Sequence, residues 1–218
     1  RQQVLSYHRI RLGNNMHKLK EFVENVTDNE GGISVSATGL HITLGNLCNG
    51  QCRMCSPWNS TSLIPVHKHI NNELGFNTHP VKDFQWVNDD ALWEKKFYPK
   101  INNVKWLNLM GGEPFIIKRV YKILKYCVDN NLANDMEIYF NTNCAQPVPE
   151  KVLDLWPHFK NIHLDLSIDD IEGRVEWIRY PIKWEQYLSF IDWCENDSPD
   201  NVTVEMLPSI GNYNIFYF

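Results

Sequence analysis

The sequence predicts an α/β domain built on a parallel β-sheet. Three observations point there. Short β-patterned runs alternate with helical stretches through the second half of the chain, and each run leads into a loop of unusual polar residues. At 218 residues the chain is also long enough for one domain with a substantial core.

Residues 13–27, "GNNMHKLKEFVENVT", space Met16, Leu19, Phe22, Val23 and Val26 at helical intervals. Gly31-Gly32 breaks the chain after them, which makes residues 1–30 an N-terminal helical extension and 31–218 the main domain. "GLHITLGN" alternates Leu40, Ile42 and Leu44 as a strand does, and runs straight into a cysteine-rich loop. Residues 57–100 are a weakly patterned insertion with one helix expected near 89–98.

A regular rhythm follows. "NVKWLNLM" reads as a strand, "IIKRVYKILKYCVDNN" as a helix and "MEIYFNT" as the next strand, with a short helix after Pro149. "NIHLDLSI" is a fourth strand, followed by helical stretches over 171–179 and 183–196, and "NVTVEMLP" is a fifth. Right-handed crossovers would bring these strands side by side.

Composition narrows the function. A net charge of -5 with 22% charged residues leaves no basic footprint for nucleic acid or anionic membrane. No apolar run approaches the roughly 18 residues needed to span a bilayer. Six cysteines are too few for a disulfide scaffold, and three of them crowd one loop, which reads as metal or redox chemistry in a reducing, cytoplasmic compartment. The Asn-x-Ser/Thr triplets at Asn25, Asn59 and Asn201 are then chance matches.

In parallel α/β folds, ligands bind at the carboxyl ends of the strands. The cysteine loop follows the first strand, "GGEP" the second, "NTN" the third and "SIDD" the fourth. Four loops therefore converge on one rim.

The first is the most specific. "LCNGQCRMCSPWNS" sets Cys48, Cys52 and Cys55 at Cys-x3-Cys-x2-Cys, which lets three thiolates close on one small cluster. Chance gives this spacing in roughly one of two hundred chains of such cysteine content. Three reduced cysteines without a ligand, or zinc completed by His67 or His69, are the alternatives. Three cysteines on a four-iron cluster leave one iron open for a substrate or cofactor. Cys127, beside Tyr126 and Val128, and Cys194 in "FIDWCEN" read as buried core thiols.

Cys48, Cys52 and Cys55 resemble the cluster motif of the radical S-adenosylmethionine (SAM) enzymes. The resemblance implies a [4Fe-4S] cluster whose fourth iron is chelated by the methionine amino and carboxylate groups of SAM. It implies that Gly111, Gly112, Glu113 and Pro114 hold the amino group, Glu113 through a charge-assisted bond. Ser167 and Arg179 match residues that contact the methionine moiety, with Arg174 a competing candidate. Met54 stands where the family often packs an aromatic residue on adenine. Thr142 and Asn143 match the family's Thr-Asn-Gly, with Cys144 replacing the glycine, and belong near the substrate or ribose.

"NLCNGQCRMCSPWNS", "LNLMGGEPF", "IYFNTN" and "LSIDDIEGRVEWIRYPIKWEQ" are together most similar to radical SAM proteins with a C-terminal twitch domain. Those proteins are relatives of the SPASM peptide-maturing enzymes, common in phage and bacterial genomes. The likeness runs from about Gly39 to Trp184. The implied fold is a partial (β/α)6-type TIM barrel, here truncated after about five strands and without a C-terminal cysteine cluster. The implied activity is reductive cleavage of SAM to a 5′-deoxyadenosyl radical that takes hydrogen from a substrate. A peptide or protein is the substrate by analogy, a nucleotide or small molecule the alternative, and flavodoxin or ferredoxin the kind of electron donor expected. A non-catalytic zinc- or cluster-binding module is the rival outside enzymes.

Overall fold

The computed structural model describes residues 37–75 and 84–217, with Glu24, Asn25, Thr27, Asp28, Glu30 and Gly32. The helix expected over 13–27 lies outside the described residues apart from Glu24 and Asn25, which are helical, and Thr27, which is not. The chain divides into two compact units, Arg1–Ala37 and Thr38–Phe218, and the second carries everything that follows.

Five strands build that unit: β1 (Gly39–Thr43), β2 (Trp106–Met110), β3 (Glu137–Thr142), β4 (Asn161–Leu166) and β5 (Val202–Met206). They form one wholly parallel sheet in the order β1-β2-β3-β4-β5. A doubly wound sheet reverses its order at a switch point, and this one never does. Right-handed crossovers that always step the same way put every crossover on one face, as in an arc of a barrel.

Side-chain alternation records the two faces. Leu107, Leu109, Ile138, Phe140, Ile162, Leu164 and Leu166 are buried on the helix side. The residues between them, including Asn108, Tyr139, Asn141, His163 and Asp165, are half-buried on the other. Pairing runs Asn108 to Tyr139 to His163 to Thr203 across that second face. It is a polar row inside the arc.

The helices are α1 (Ile64–Leu74), α2 (residues 90–101), α3 (Lys118–Asp129), α4 (Glu150–Leu153), α5 (Glu172–Ile178) and α6 (Trp184–Asn196). Val120, Ile123, Leu124 and Cys127 recur on one face of α3 and are fully buried, each large apolar side chain stabilising the fold by about 1.5–3 kcal/mol. A π turn, Trp93–Phe97, interrupts α2. Trp93 is buried there under the Arg119 guanidinium, whose Nε donates to the Val87 carbonyl at 2.6 Å. The insertion is thereby fastened to α3.

Two expectations need correction. The insertion holds a second helix, α1, which buries no residue although Val66, Ile70 and Leu74 recur along it four residues apart. His67 and His69 lie on that helix. Cys127 is buried as expected, but Cys194 is only half-buried at the core's edge. Among the described residues no helix is long and apolar enough to cross a membrane.

Candidate functional site

The cysteine loop leaves β1 at the carboxyl rim and is held from behind by its own continuation. Ser60 Oγ donates to the Gly50 carbonyl at 2.5 Å, Ser62 Oγ to the Cys48 carbonyl at 2.7 Å, and Asn46 Nδ2 to the Pro57 carbonyl at 2.8 Å. Ser60 and Asn46 are buried, so these bonds replace water for carbonyls that would otherwise go unpaired. Nothing in the periodicity of residues 57–62 signals this collar. The dense Asn-Ser-Thr-Ser run was the only trace.

Gly50 sits between the thiols. A Cβ added there would lie 3.3 Å from Cys52 Sγ, 3.8 Å from Cys48 Sγ and 3.7 Å from Asn143 Nδ2. The Cys55 N–H donates to the Cys52 carbonyl at 3.0 Å. Among the described residues no three metal-ligating side chains are placed to hold a single ion. The thiols instead line a cradle kept open by the missing side chain at Gly50. Three soft donors around such a space fit an iron–sulfur cluster.

The Gly-Gly-Glu loop after β2 is pressed against the stem of the cysteine loop. Gly111 and Gly112 have φ of 105° and 53°, and a Cβ on either would run into the backbone at Gly45 and Leu47 respectively. The Glu113 N–H then donates to the Leu47 carbonyl at 2.8 Å. The glycines thus let one loop approach another loop. Pro114 opens a short 3-10 turn, Pro114–Ile116.

Glu113 is 1% exposed. Its carboxylate accepts from Thr142 Oγ1 at 2.9 Å, the Asn143 N–H at 2.8 Å and the Phe115 N–H at 3.4 Å. Burial pushes its pKa up to about 7, although these three bonds and the Arg179 charge pull the other way. Thr142 and Asn143 are therefore tied to Glu113. The Asn143 amide also donates to Asn49 Oδ1 at 2.8 Å and reaches Cys48 Sγ at 3.7 Å. Cys144 adopts φ of 59°, the left-handed conformation that glycine takes most readily.

The loop after β4 divides its polar residues. Ser167 is half-buried at the rim and its N–H donates to the Thr142 carbonyl at 2.9 Å. Asp169 is fully buried and takes both Nε and Nη2 of Arg179, at 2.6 and 2.8 Å. Asp170 pairs with Arg174, which faces outward beneath Tyr217. Arg179 follows α5 beside the cysteine loop: the Gln51 N–H donates to the Tyr180 carbonyl at 2.6 Å, and the Arg53 N–H to the Ile178 carbonyl at 2.8 Å. Met54 stands on the turn between the last two cysteines, 41% exposed.

The thiols are electrostatically unequal. Burial raises the Cys48 pKa. Within the Cys52–Cys55 pair, the interaction of the two thiols with each other raises Cys52 and lowers Cys55. Arg179 favours both thiolates.

The structure thus brings the cysteine, Gly-Gly-Glu and Thr-Asn loops and Arg179 together, while Arg174 turns away to Asp170 and Tyr217. Fold and site define an α/β barrel arc with a thiol-lined cradle at its carboxyl rim. The family model of the radical SAM superfamily matches residues 42–211, and the chain belongs to that superfamily. No curated protein matches the sequence. Among solved structures, Streptococcus suis SuiB bound to precursor peptide SuiA is similar over 92% of this chain and 38% of that one, with 15% identity and a TM-score of 0.52. SuiB bound to S-adenosylmethionine aligns over 92% of this chain and 46% of that one, with 15% identity and a TM-score of 0.47. For SuiB alone the figures are 82%, 41%, 16% and 0.44. The chain spans less than half the length of each of these, and at such identity the likeness is one of fold.

Proposed function

We propose that this chain is the core of a radical SAM enzyme that acts on a peptide or protein. The carrying observation is the cradle: Cys48 and Cys52 flank Gly50, the Cys55 N–H is tied to the Cys52 carbonyl, and the Gly-Gly-Glu loop is locked against the same stem. Cys48, Cys52 and Cys55 would hold a [4Fe-4S] cluster. Bound there with SAM, it supplies the electron for reductive cleavage and the radical that removes hydrogen from the substrate.

The chain's own residues do the positioning. Loop 111–113 would receive the methionine amino group, and an ammonium there would return the buried Glu113 carboxyl to its charged form. Ser167 would contact the methionine moiety, and Met54, which is exposed, would offer an apolar surface to the adenine. Hydrogen bonds toward Cys48 Sγ from the Gly50 N–H and the Asn143 amide, at 3.4 and 3.7 Å, shield that sulfur and fix its direction. A peptide substrate is supported by the fold shared with SuiB, whose structure holds a precursor peptide.

Anaerobic reconstitution of the protein with iron and sulfide tests the reading. About four irons per chain and deoxyadenosine release under dithionite with SAM are expected. Zinc at about one per chain with no iron uptake would sink it in favour of a zinc-stabilised binding module.

A further inference from the structure

Resting on that reading, we propose that a small acidic electron-transfer protein docks on the exposed side of the cysteine loop, held by Arg53 of the loop and Lys68 of helix α1. The donor gives up one electron there and the cluster takes it, with no bond made or broken in this chain.

The charge pattern is written in the sequence. The chain has 26 acidic residues, yet none occurs between Glu30 and Glu73. That stretch holds all three proposed ligands and most of α1. Its only fixed charges are Arg53 and Lys68, beside His41, His67 and His69. A chain of net charge -5 repels an acidic partner over most of its surface and admits it here.

The fold turns that stretch into a surface. Arg53 and Lys68 are both exposed. Arg53 is nonetheless held in place. Its Nε donates to the Trp177 carbonyl at 3.2 Å, and its guanidinium lies 4.5 Å from the centre of the Trp177 ring. Among the described residues no acid pairs with it, so its outer N–H groups are left for a partner's carboxylate. On α5, Glu176 is taken by Lys183 at 2.8 Å, and Glu172 is the other acid of that helix.

Gln51 ties the two sides of the patch together. Its N–H donates to the Tyr180 carbonyl, and its Nε2 to the Ser62 carbonyl at 3.0 Å, just before α1. Exposed apolar side chains lie on each side, Ile64, Val66 and Ile70 on α1, and Trp177 and Tyr180 at and after the end of α5. Aromatic residues and arginine are the enriched residues of protein interfaces. Electron-transfer encounters need only a small one, below about 1,200 Å². Arg53 follows Cys52 directly, so a donor that touches it is one residue from a proposed ligand.

The test uses the reconstituted protein and an acidic flavodoxin reduced to its hydroquinone. Flavodoxin affinity is read by fluorescence anisotropy and cluster reduction by the loss of visible absorption. Dithionite, a small reductant that needs no docking, is run in parallel. At low salt, Arg53→Glu should weaken flavodoxin binding and slow its reduction of the cluster by about tenfold, and Lys68→Glu by about threefold. Reduction by dithionite should stay within about twofold of wild type in both. Lys100→Glu, the same charge change on the turn of α2 that leads to the amino end of β2, should alter neither readout.

Wild-type affinity in Arg53→Glu, an equal loss in Lys100→Glu, or an equal loss with dithionite would overturn the proposal. If Arg53→Glu takes up no cluster, Lys68→Glu decides it, since α1 buries no residue. Wild-type protein without a cluster overturns the proposed function as well. A wild-type cluster that dithionite reduces, but that flavodoxin neither binds nor reduces, overturns this surface alone.

Discussion

The carboxylate of Glu113 accepts the backbone N–H of Asn143 at 2.8 Å, 30 residues along the chain. That bond ties the loop after β2 to the loop after β3, and the same Asn143 reaches the cysteine loop through its side chain. Three loops at the rim are thus joined through one buried acid. The acid is costly to ionise, which makes the junction sensitive to pH.

Burial raises the folded-state pKa of Glu113 from 4.5 to about 7. Between those values the folded protein keeps a proton that the unfolded chain has released. Its contribution to stability is complete below pH 4.5 and is lost as pH rises to about 7. Glu113→Gln removes this dependence. The unfolding temperature of wild type relative to the variant should fall through that window and level off above it. A constant difference would mean that the acid is not buried at a cost.

Gly112→Ala should destabilise the protein by about 1–3 kcal/mol, since it combines a left-handed φ with a collision against the Leu47 backbone. Iron retention should fall with it, because the cysteine loop loses its backing. Gly173 in α5 is the control, as a Cβ there meets nothing within 4 Å. Gly173→Ala should be neutral or stabilising by up to about 1 kcal/mol. Denaturant unfolding separates the two, and equal losses would refute the account of the Gly-Gly turn.

Ser60→Ala removes the buried hydroxyl that serves the Gly50 carbonyl at 2.5 Å. A loss of about 1–3 kcal/mol is expected. For a domain of this size that lowers the melting temperature by about 2–4 °C per kcal/mol. An effect within about 0.5 kcal/mol, the range of ordinary surface changes, would show that the collar carries no load.

Single alanine variants of Cys48, Cys52 and Cys55 should each lose most of the reconstituted iron and its visible absorption. Cys127→Ala should keep the iron while losing some stability from a filled core position. Iron per chain, measured after desalting, distinguishes them. Full iron content in any of the first three variants would remove that cysteine from the ligand set.

Much was legible in the sequence because it is written at short range. The alternation in "MEIYFNT" and "NIHLDLSI" requires strands with one buried face, and α3 shows its apolar stripe at helical spacing. The Cys-x3-Cys-x2-Cys spacing lies within eight residues and needs no fold to be noticed. Helix α1 was legible too, in Val66, Ile70 and Leu74 four residues apart between Pro65 and Gly75, whereas the collar at Ser60 and Ser62 was not, because polar residues that serve carbonyls leave no periodic signature.

The sequence by itself determined the alternation of strands and helices, the three thiols and the glycines of the second loop, all of them local patterns. Only the tertiary structure decided which partners those residues take. It turned Glu113 inward to Thr142 and Asn143, gave Arg179 to Asp169 and sent Arg174 to Asp170. Two arginines five positions apart, each with an aspartate in reach, are alike in one dimension. Burial separates them, because a guanidinium under the rim must find a carboxylate there, while one on the surface is satisfied by water.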